Sequence, residues 1–357
     1  MIMEWVKVFL LPFVITLVAT PCVMWIAKYI DAYAKINERT IHTRNNIARI
    51  GGVAIYVAFM ISMTYFMKSD TQIRGLLLGS SIMFFGGLID DLVNLSPKKK
   101  LAFQSIASFV VIFYGNTILG KIFLPFGIII DMGFISYLVT FLWLTGVTNA
   151  VNLIDGLDGL ASGISLIILV VIASLCIIDN RPDIMILSLI LVGSLAGFIL
   201  FNFYPAKIFL GDCGALFLGF LIANIALMGF KSSTFITLGL PILMCGVPIV
   251  DTLSAILRRK FSGKKIDQAD KNHLHHVLMR KFGHKNTVLI LYAATLCSGI
   301  VAYIYILNKI LGLILLCIEL IVCEIFLEKT QMIATWFHPV TSIMNFWKKF
   351  KMYRKSS

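Results

Sequence analysis

Apolar residues in this chain gather into long runs broken by short polar stretches, with little of the strict alternation that marks half-buried strands. Eleven runs stand out: 8–27, 50–67, 75–89, 101–119, 135–149, 160–178, 184–201, 215–230, 235–257, 288–307 and 310–327. A helix that crosses a bilayer needs about 20 apolar residues. Most runs reach that length, and the third and fifth fall short of it. Glu4 and Lys7 precede the first run, and no small-residue cleavage site follows, so it reads as a span and not as a removable signal. The pattern predicts an all-α polytopic membrane protein of about eleven transmembrane helices. Residues 1–327 would form one transmembrane catalytic domain and 328–357 a basic tail. That tail mixes Trp336, Phe337, Phe346 and Trp347 with Lys and Arg, as an amphipathic helix on a membrane surface would.

Composition agrees. Of 357 residues, 59% are hydrophobic and 14% charged, against about 45–50% and about 25% in ordinary soluble domains. The net charge of +13 would suggest nucleic acid in a soluble protein. Here its distribution matters more. Counted by connection, 24 Lys and Arg fall on the odd-numbered connections and the tail, and 6 on the even-numbered ones. The positive-inside rule then puts the odd connections and the C-terminus in the cytoplasm and the N-terminus outside. Nucleic acid is not an expected partner; membrane lipid is. The seven cysteines show no paired metal spacing and no disulfide framework.

The polar residues follow the same asymmetry. All six histidines and eight of the thirteen aspartates fall on the predicted cytoplasmic side. A transporter would place ionisable groups near the midplane and open an outward vestibule. Chemistry gathered on one face favours an enzyme at the inner surface.

Four clusters carry that chemistry. In GGLIDDLVNLSPKKKLAFQ, Asp90 and Asp91 close one run and Lys98, Lys99 and Lys100 open the next. Paired carboxylates at a membrane surface are costly unless they hold a cation or share a proton. In TNAVNLIDGLDGLASG, Asn149, Asn152, Asp155 and Asp158 lie among glycines with no lysine near. Amides and carboxylates together read a base edge, a ribose or a metal-bound water. In FNFYPAKIFLGDCGALFLG, Asn202, Lys207 and Phe209 precede Asp212, which glycines bracket before a helix. Asp212 is either an N-cap or an oxygen ligand for Mg²⁺, and Phe209 by composition reads as an interface anchor. In the long basic loop, His273, His275 and His276 sit among cations, which suits phosphate binding or proton handling better than zinc. Asp251 lies inside the ninth run, where an acid is expensive. The first connection adds Lys35, Arg39, His42, Arg44 and Arg49 before Gly51-Gly52. Glu319 and Glu324 in the eleventh run read as packing or lipid-boundary groups. The even-numbered runs all begin on the predicted cytoplasmic side, so their positive dipole ends face the same compartment as the clusters.

GGLIDD with KLAFQ, NAVNLIDGLDGLASG, NFYPAKIFLGDCG and DKNHLHH, in this order, resemble the polyprenyl-phosphate N-acetylhexosamine-1-phosphate transferases, of the glycosyltransferase 4 type. The DKNHLHH form is similar to the branch that makes undecaprenyl-diphospho-GlcNAc, which initiates teichoic acid or O-antigen synthesis. The chain departs from the family pattern at Ala215, often Ser, and at Asn46 to Arg49, where a proline-containing stretch is common.

The resemblance implies a reaction. The phosphate of undecaprenyl phosphate would attack the β-phosphorus of UDP-GlcNAc, or of another UDP-amino sugar or UDP-MurNAc-pentapeptide, and release UMP. It also implies roles. Asp212 would be the principal Mg²⁺ ligand, with Mn²⁺ as a substitute ion. Asp90 and Asp91 would sit beside the metal and lipid phosphate, Asp91 as a second ligand and Asp90 as a candidate base. Asn152, Asp155 and Asp158 would hold the nucleotide and Phe209 would stack on uracil. Lys100, Asn202, His273, His275 and His276 would contact phosphates or sugar. Arg39, His42, Asn149, Lys207 and Asp251 complete the expected substrate contacts. A multi-pass location in a bacterial cytoplasmic membrane and a homodimer are expected. The alternative from another class is an anionic-lipid transporter, which would move its ligand without forming UMP.

Overall fold

The computed structural model describes residues 2–33, 47–123, 129–229, 249, 256, 259 and 274–329. Helices lie on ten of the eleven predicted runs, the ninth lying almost wholly outside the described residues. They are α1 (Ile2–Tyr29), α2 (Gly52–Phe66), α3 (Thr71–Val93), α4 (Pro97–Phe109), α5 (Ile135–Ile154), α6 (Leu160–Ile178), α7 (Pro182–Asn202), α8 (Gly211–Gly229), α9 (Leu274–Phe282), α10 (His284–Leu307) and α11 (Lys309–Lys329). Seven of these are long and apolar enough to cross a membrane, among the described residues. The run 235–257 and the tail fall outside the described residues except at single positions.

Local chemistry sets the ends. Asp70 caps α3, accepting from the Ile73 amide at 2.7 Å, and so satisfies one of the orphan N–H groups of the first turn. Pro97 opens α4 at a position where a missing N–H costs nothing. Asn94, with φ 54°, ends α3 in the left-handed region, so only a short turn separates the helices. After Phe109 the chain widens into a π-helical turn, Val110–Tyr114. The all-helical expectation then needs one addition: β1 (Lys121–Phe123) and β2 (Ile129–Asp131) pair antiparallel, with Lys121 opposite Asp131.

α8 is the axle of the bundle. Every residue from Cys213 to Gly229 is buried, with α3 and α5 on its flanks. Across α5, the Trp143 indole donates to the Ala223 carbonyl at 3.0 Å. On the other side Tyr56 stacks on Phe84 at 3.9 Å and meets Phe217 edge-on at 5.5 Å. α1 seats on α7 through small residues: a Cβ on Gly193 would lie 2.2 Å from the Phe9 carbonyl. Such close backbone approach is how helices associate where lipid competes with side chains. The outer side of α1 exposes Leu10, Val14, Val18 and Trp25, the surface a lipid-facing helix requires.

The ends of α3, α5 and α7 and the starts of α4, α6 and α8 meet at one end of the bundle. The paired strands β1 and β2 lie in the chain between the far ends of α4 and α5. Three of the four sequence clusters are therefore brought together.

Candidate active site

The centre is built where the last turn of α3 meets the first turn of α8. Asp91 turns inward. Its Oδ1 accepts from the Asp212 amide at 3.0 Å and its Oδ2 from the Cys213 amide at 2.9 Å, across more than a hundred residues of chain. Arg49 adds Nε at 3.1 Å and a second guanidinium nitrogen at 3.0 Å, both to Oδ1. Asp90, the neighbour, accepts from the Leu95 amide through Oδ1 at 2.7 Å. Its buried Oδ2 meets the Lys100 ammonium. Lys100 also reaches Asp212 Oδ2 at 3.3 Å, and Arg49 approaches the same oxygen at 3.6 Å. Two cations thus flank Asp212, and three carboxylates share them.

The segment carrying Arg49 is pinned on both sides. The Arg49 amide donates to Ala32 at 3.1 Å, and Gly51 and Gly52 donate to Phe209 and Leu210 at 3.0 and 2.8 Å. The Phe209 amide donates to Ala48 at 2.8 Å. Phe209 itself is half-buried, and Lys207 is exposed.

Asp155 closes α5 at the same mouth and is partly exposed. Desolvation, and then the negative charges of Asp212, Asp91 and Asp158, hold its carboxyl well above the usual carboxylate range. The mouth therefore carries more acid than its two cations neutralise, and a further cation would relieve it. Among the described residues no three His, Cys, Asp or Glu side chains converge on one point. Mg²⁺ does not need them: it is commonly held by one or two carboxylates plus substrate phosphates. Asp90 Oδ2 and Asp212 Oδ2, which both face the Lys100 ammonium, form such a two-carboxylate edge, so the donor set fits the ion.

Other expected contact residues hold the frame. Asp158 is buried and accepts from the Ala206 amide at 2.9 Å. Asn202 donates to the Ile208 carbonyl at 2.9 Å and accepts from Ser162 at 2.6 Å. Together they fasten the loop between α7 and α8. Asn149 pairs with Gln104 through two reciprocal amide bonds of 2.8 and 2.9 Å, which tie α4 to α5. Asn152 is half-buried, with Oδ1 buried and without a hydrogen bond. His275 and His276 lie in the helical segment α9. Arg39, His42, Asp251 and His273 lie outside the described residues.

Three residues had no place among the expected site residues. Arg49 was one of five basic residues in a connection whose charge orientation alone explains. Gln104 is a lone amide in an apolar run. Tyr292 of α10 donates its hydroxyl to the Gly159 carbonyl, and so fastens the late helices to the loop that carries Asp155 and Asp158.

The amide pair makes a prediction. Asn149→Leu leaves the Gln104 amide buried and unsatisfied, at a cost of about 1–3 kcal/mol. Thermal melting in detergent should show it. The exchange Gln104→Asn with Asn149→Gln keeps both amides and the summed length, and should recover most of the loss. A double variant that melts no higher than Asn149→Leu would remove the pair's importance.

Comparison with known proteins fits this geometry. Residues 73–230 match glycosyl transferase family 4. The chain is 35% identical over 348 residues to a Bacillus subtilis protein named "probable undecaprenyl-phosphate N-acetylglucosaminyl 1-phosphate transferase", covering 94% of this chain and 95% of that one. It is 31% identical over 324 residues to the decaprenyl-phosphate N-acetylglucosaminephosphotransferase of Mycobacterium tuberculosis, covering 81% and 79%. It is 27% identical over 323 residues to the phospho-N-acetylmuramoyl-pentapeptide-transferase of Listeria monocytogenes, covering 83% and 96%. With buried acids of α3 locked onto the start of α8 inside the matched region, and a relative aligned over almost its full length, the chain belongs to glycosyl transferase family 4 and is a transferase.

Proposed function

We propose that the protein transfers N-acetylglucosamine-1-phosphate from UDP-GlcNAc to undecaprenyl phosphate at the inner face of a bacterial cytoplasmic membrane. One observation carries the reading: Asp90, Asp212, Lys100 and Arg49 converge at the start of a buried helix, in a chain aligned over 94% of its length with the B. subtilis transferase. An oxygen of the lipid phosphate attacks the β-phosphorus, a P–O bond forms there, and the bond to the α-phosphate breaks as UMP leaves.

Asp212 and Asp90 would hold Mg²⁺, with Mn²⁺ able to replace it; the ion, when bound, neutralises the diphosphate charge. Lys100 lies on that edge and stabilises the negative charge that shifts to the leaving phosphate, with Arg49 close behind it. A phosphate monoester has a second pKa of about 6, so the attacking oxygen is largely ionised at neutral pH and Asp90 serves by position more than as a base. Asn152 and Asp155 face the nucleotide, Phe209 stacks on uracil, and His273, His275 and His276 contact phosphate or sugar. Eleven spans with the N-terminus outside, a homodimer and a tail on the inner leaflet complete this reading. The positive-inside count supports the orientation.

The reading is tested by purified protein with undecaprenyl phosphate, Mg²⁺ and a panel of UDP-sugars, scored by UMP release. UDP-GlcNAc is expected to be the preferred donor by at least tenfold. A preference for UDP-MurNAc-pentapeptide would move the chain towards the function named for the Listeria relative. Ligand movement with no UMP from any donor would overturn the proposal.

A further inference from the structure

The two acids at the end of α3 are the same residue type, one position apart, yet their surroundings divide them. Exposure does not separate them, for Asp90 keeps 2% of its side chain open and Asp91 none, against 22% for Asp212; bonding does. Both Asp91 oxygens already accept: Oδ1 from Arg49 and the Asp212 amide, Oδ2 from the Cys213 amide. A metal or phosphate contact at Asp91 would require breaking bonds that hold the start of α8. Arg49 is equally committed. Its amide is bonded to Ala32 just beyond α1, and its side chain joins the end of α3 to the start of α8. One residue thereby ties three separate parts of the chain.

We propose that Arg49 and Asp91 form a clamp of positioning residues that sets the place and angle of Asp212, with Asp91 touching neither the ion nor the substrates. The carboxylate acts on the helix start, where two N–H groups and the positive dipole end receive it. The guanidinium keeps that buried charge paired, since an unpaired carboxylate at this depth is strongly unfavourable. This differs from the ligand role that the family resemblance implies for Asp91, and it leaves Asp90 as the partner of Asp212. The activity part of the inference rests on the transfer reaction proposed above. The melting part does not.

The test uses full-length protein in detergent, with Arg49→Gln, Asp91→Asn, the double variant and Asp212→Asn. Melting midpoints are taken without metal and with MgCl₂ plus UDP-GlcNAc, alongside kcat and KM. Both single clamp variants should melt lower than wild type without metal. The double should fall no further than the worse single, because the two residues act as one unit. In Asp91→Asn the Mg²⁺-dependent rise in midpoint should persist, while Asp212→Asn loses it. For the clamp variants kcat should drop at least tenfold with KM for UDP-GlcNAc within about threefold of wild type, the signature of an interaction that acts in the transition state.

Asp91→Asn melting like wild type but losing the Mg²⁺ response would make Asp91 a ligand and overturn the clamp, as would additive losses in the double. If Asp91→Asn does not accumulate, Arg49→Gln decides alone. A lowered metal-free midpoint and kcat with the Mg²⁺ response intact supports the clamp. A wild-type midpoint and kcat overturns it. If wild-type protein forms no UMP, the proposed reaction falls while the melting cycle still reports on the clamp.

Discussion

Asp212→Asn should lower UMP release by about a thousandfold, on the scale of losing a key electrostatic group from a preorganised site. The amide keeps the volume and one acceptor oxygen, so packing changes little. What it removes is the charge that Lys100 and Arg49 share, at 3.3 and 3.6 Å from the same oxygen. It also removes half of the two-carboxylate edge that fits Mg²⁺. Arg49 stays on Asp91 and Lys100 on Asp90, so the charge is lost without a rearrangement of the cations. The side chain is partly exposed, so the folded state should survive, and a melting midpoint close to wild type separates lost chemistry from lost structure. A folded variant that retains more than a tenth of wild-type UMP release would remove Asp212 from the centre of the mechanism.

The second large effect comes from a backbone position. Gly211 has φ +76°, and a Cβ there would lie 1.8 Å from the Arg49 carbonyl oxygen and 2.7 Å from Asp91 Oδ2. The left-handed backbone alone costs a non-glycine residue about 1–2 kcal/mol. The overlap adds more, because the segment around Arg49 cannot move aside: Arg49 is bonded to Ala32, and Gly51 to Phe209. Gly211→Ala should therefore cost more than about 3 kcal/mol and lower UMP release at least a hundredfold. Gly133 is the control. It too has positive φ, +48°, but nothing lies within 4 Å of its added Cβ. Gly133→Ala should pass with only the backbone cost. Equal losses in melting midpoint for the two variants would show that the crowding at Gly211 does not matter.

The division between what the sequence reveals and what it hides follows the physics. Long apolar runs are legible because lipid demands continuous apolar surface, and the helices fall on them within a few residues. The meeting of Asp90, Lys100 and Asp212 is legible in kind, since scarce charges in an apolar frame must find one another. Their separate tasks are not. Asp90 and Asp91 differ by which amides approach them: Asp90 takes the local Leu95 amide, whereas the amides on Asp91 belong to residues more than a hundred positions away. Asn149, Asp158 and Asn202 read as substrate contacts because polar groups near a cluster look alike in a sequence. In the fold they satisfy buried backbone and amide groups. The pairing of β1 with β2 is hidden in the sequence because three-residue strands give no periodicity to detect.

α8 has one last implication. With every residue from Cys213 to Gly229 covered, the axis of the bundle is solid along that helix, and Asp90, Asp91, Asp155 and Asp212 gather at one end of it. Under the proposed reaction the nucleotide that enters and the nucleotide that leaves use that one end, and the saccharide head group stays on the side where it is made. If the polymer is to be built across the bilayer, turning that head group over falls to a different protein. Under that reading, the buried length of α8 fixes the side on which the product is made.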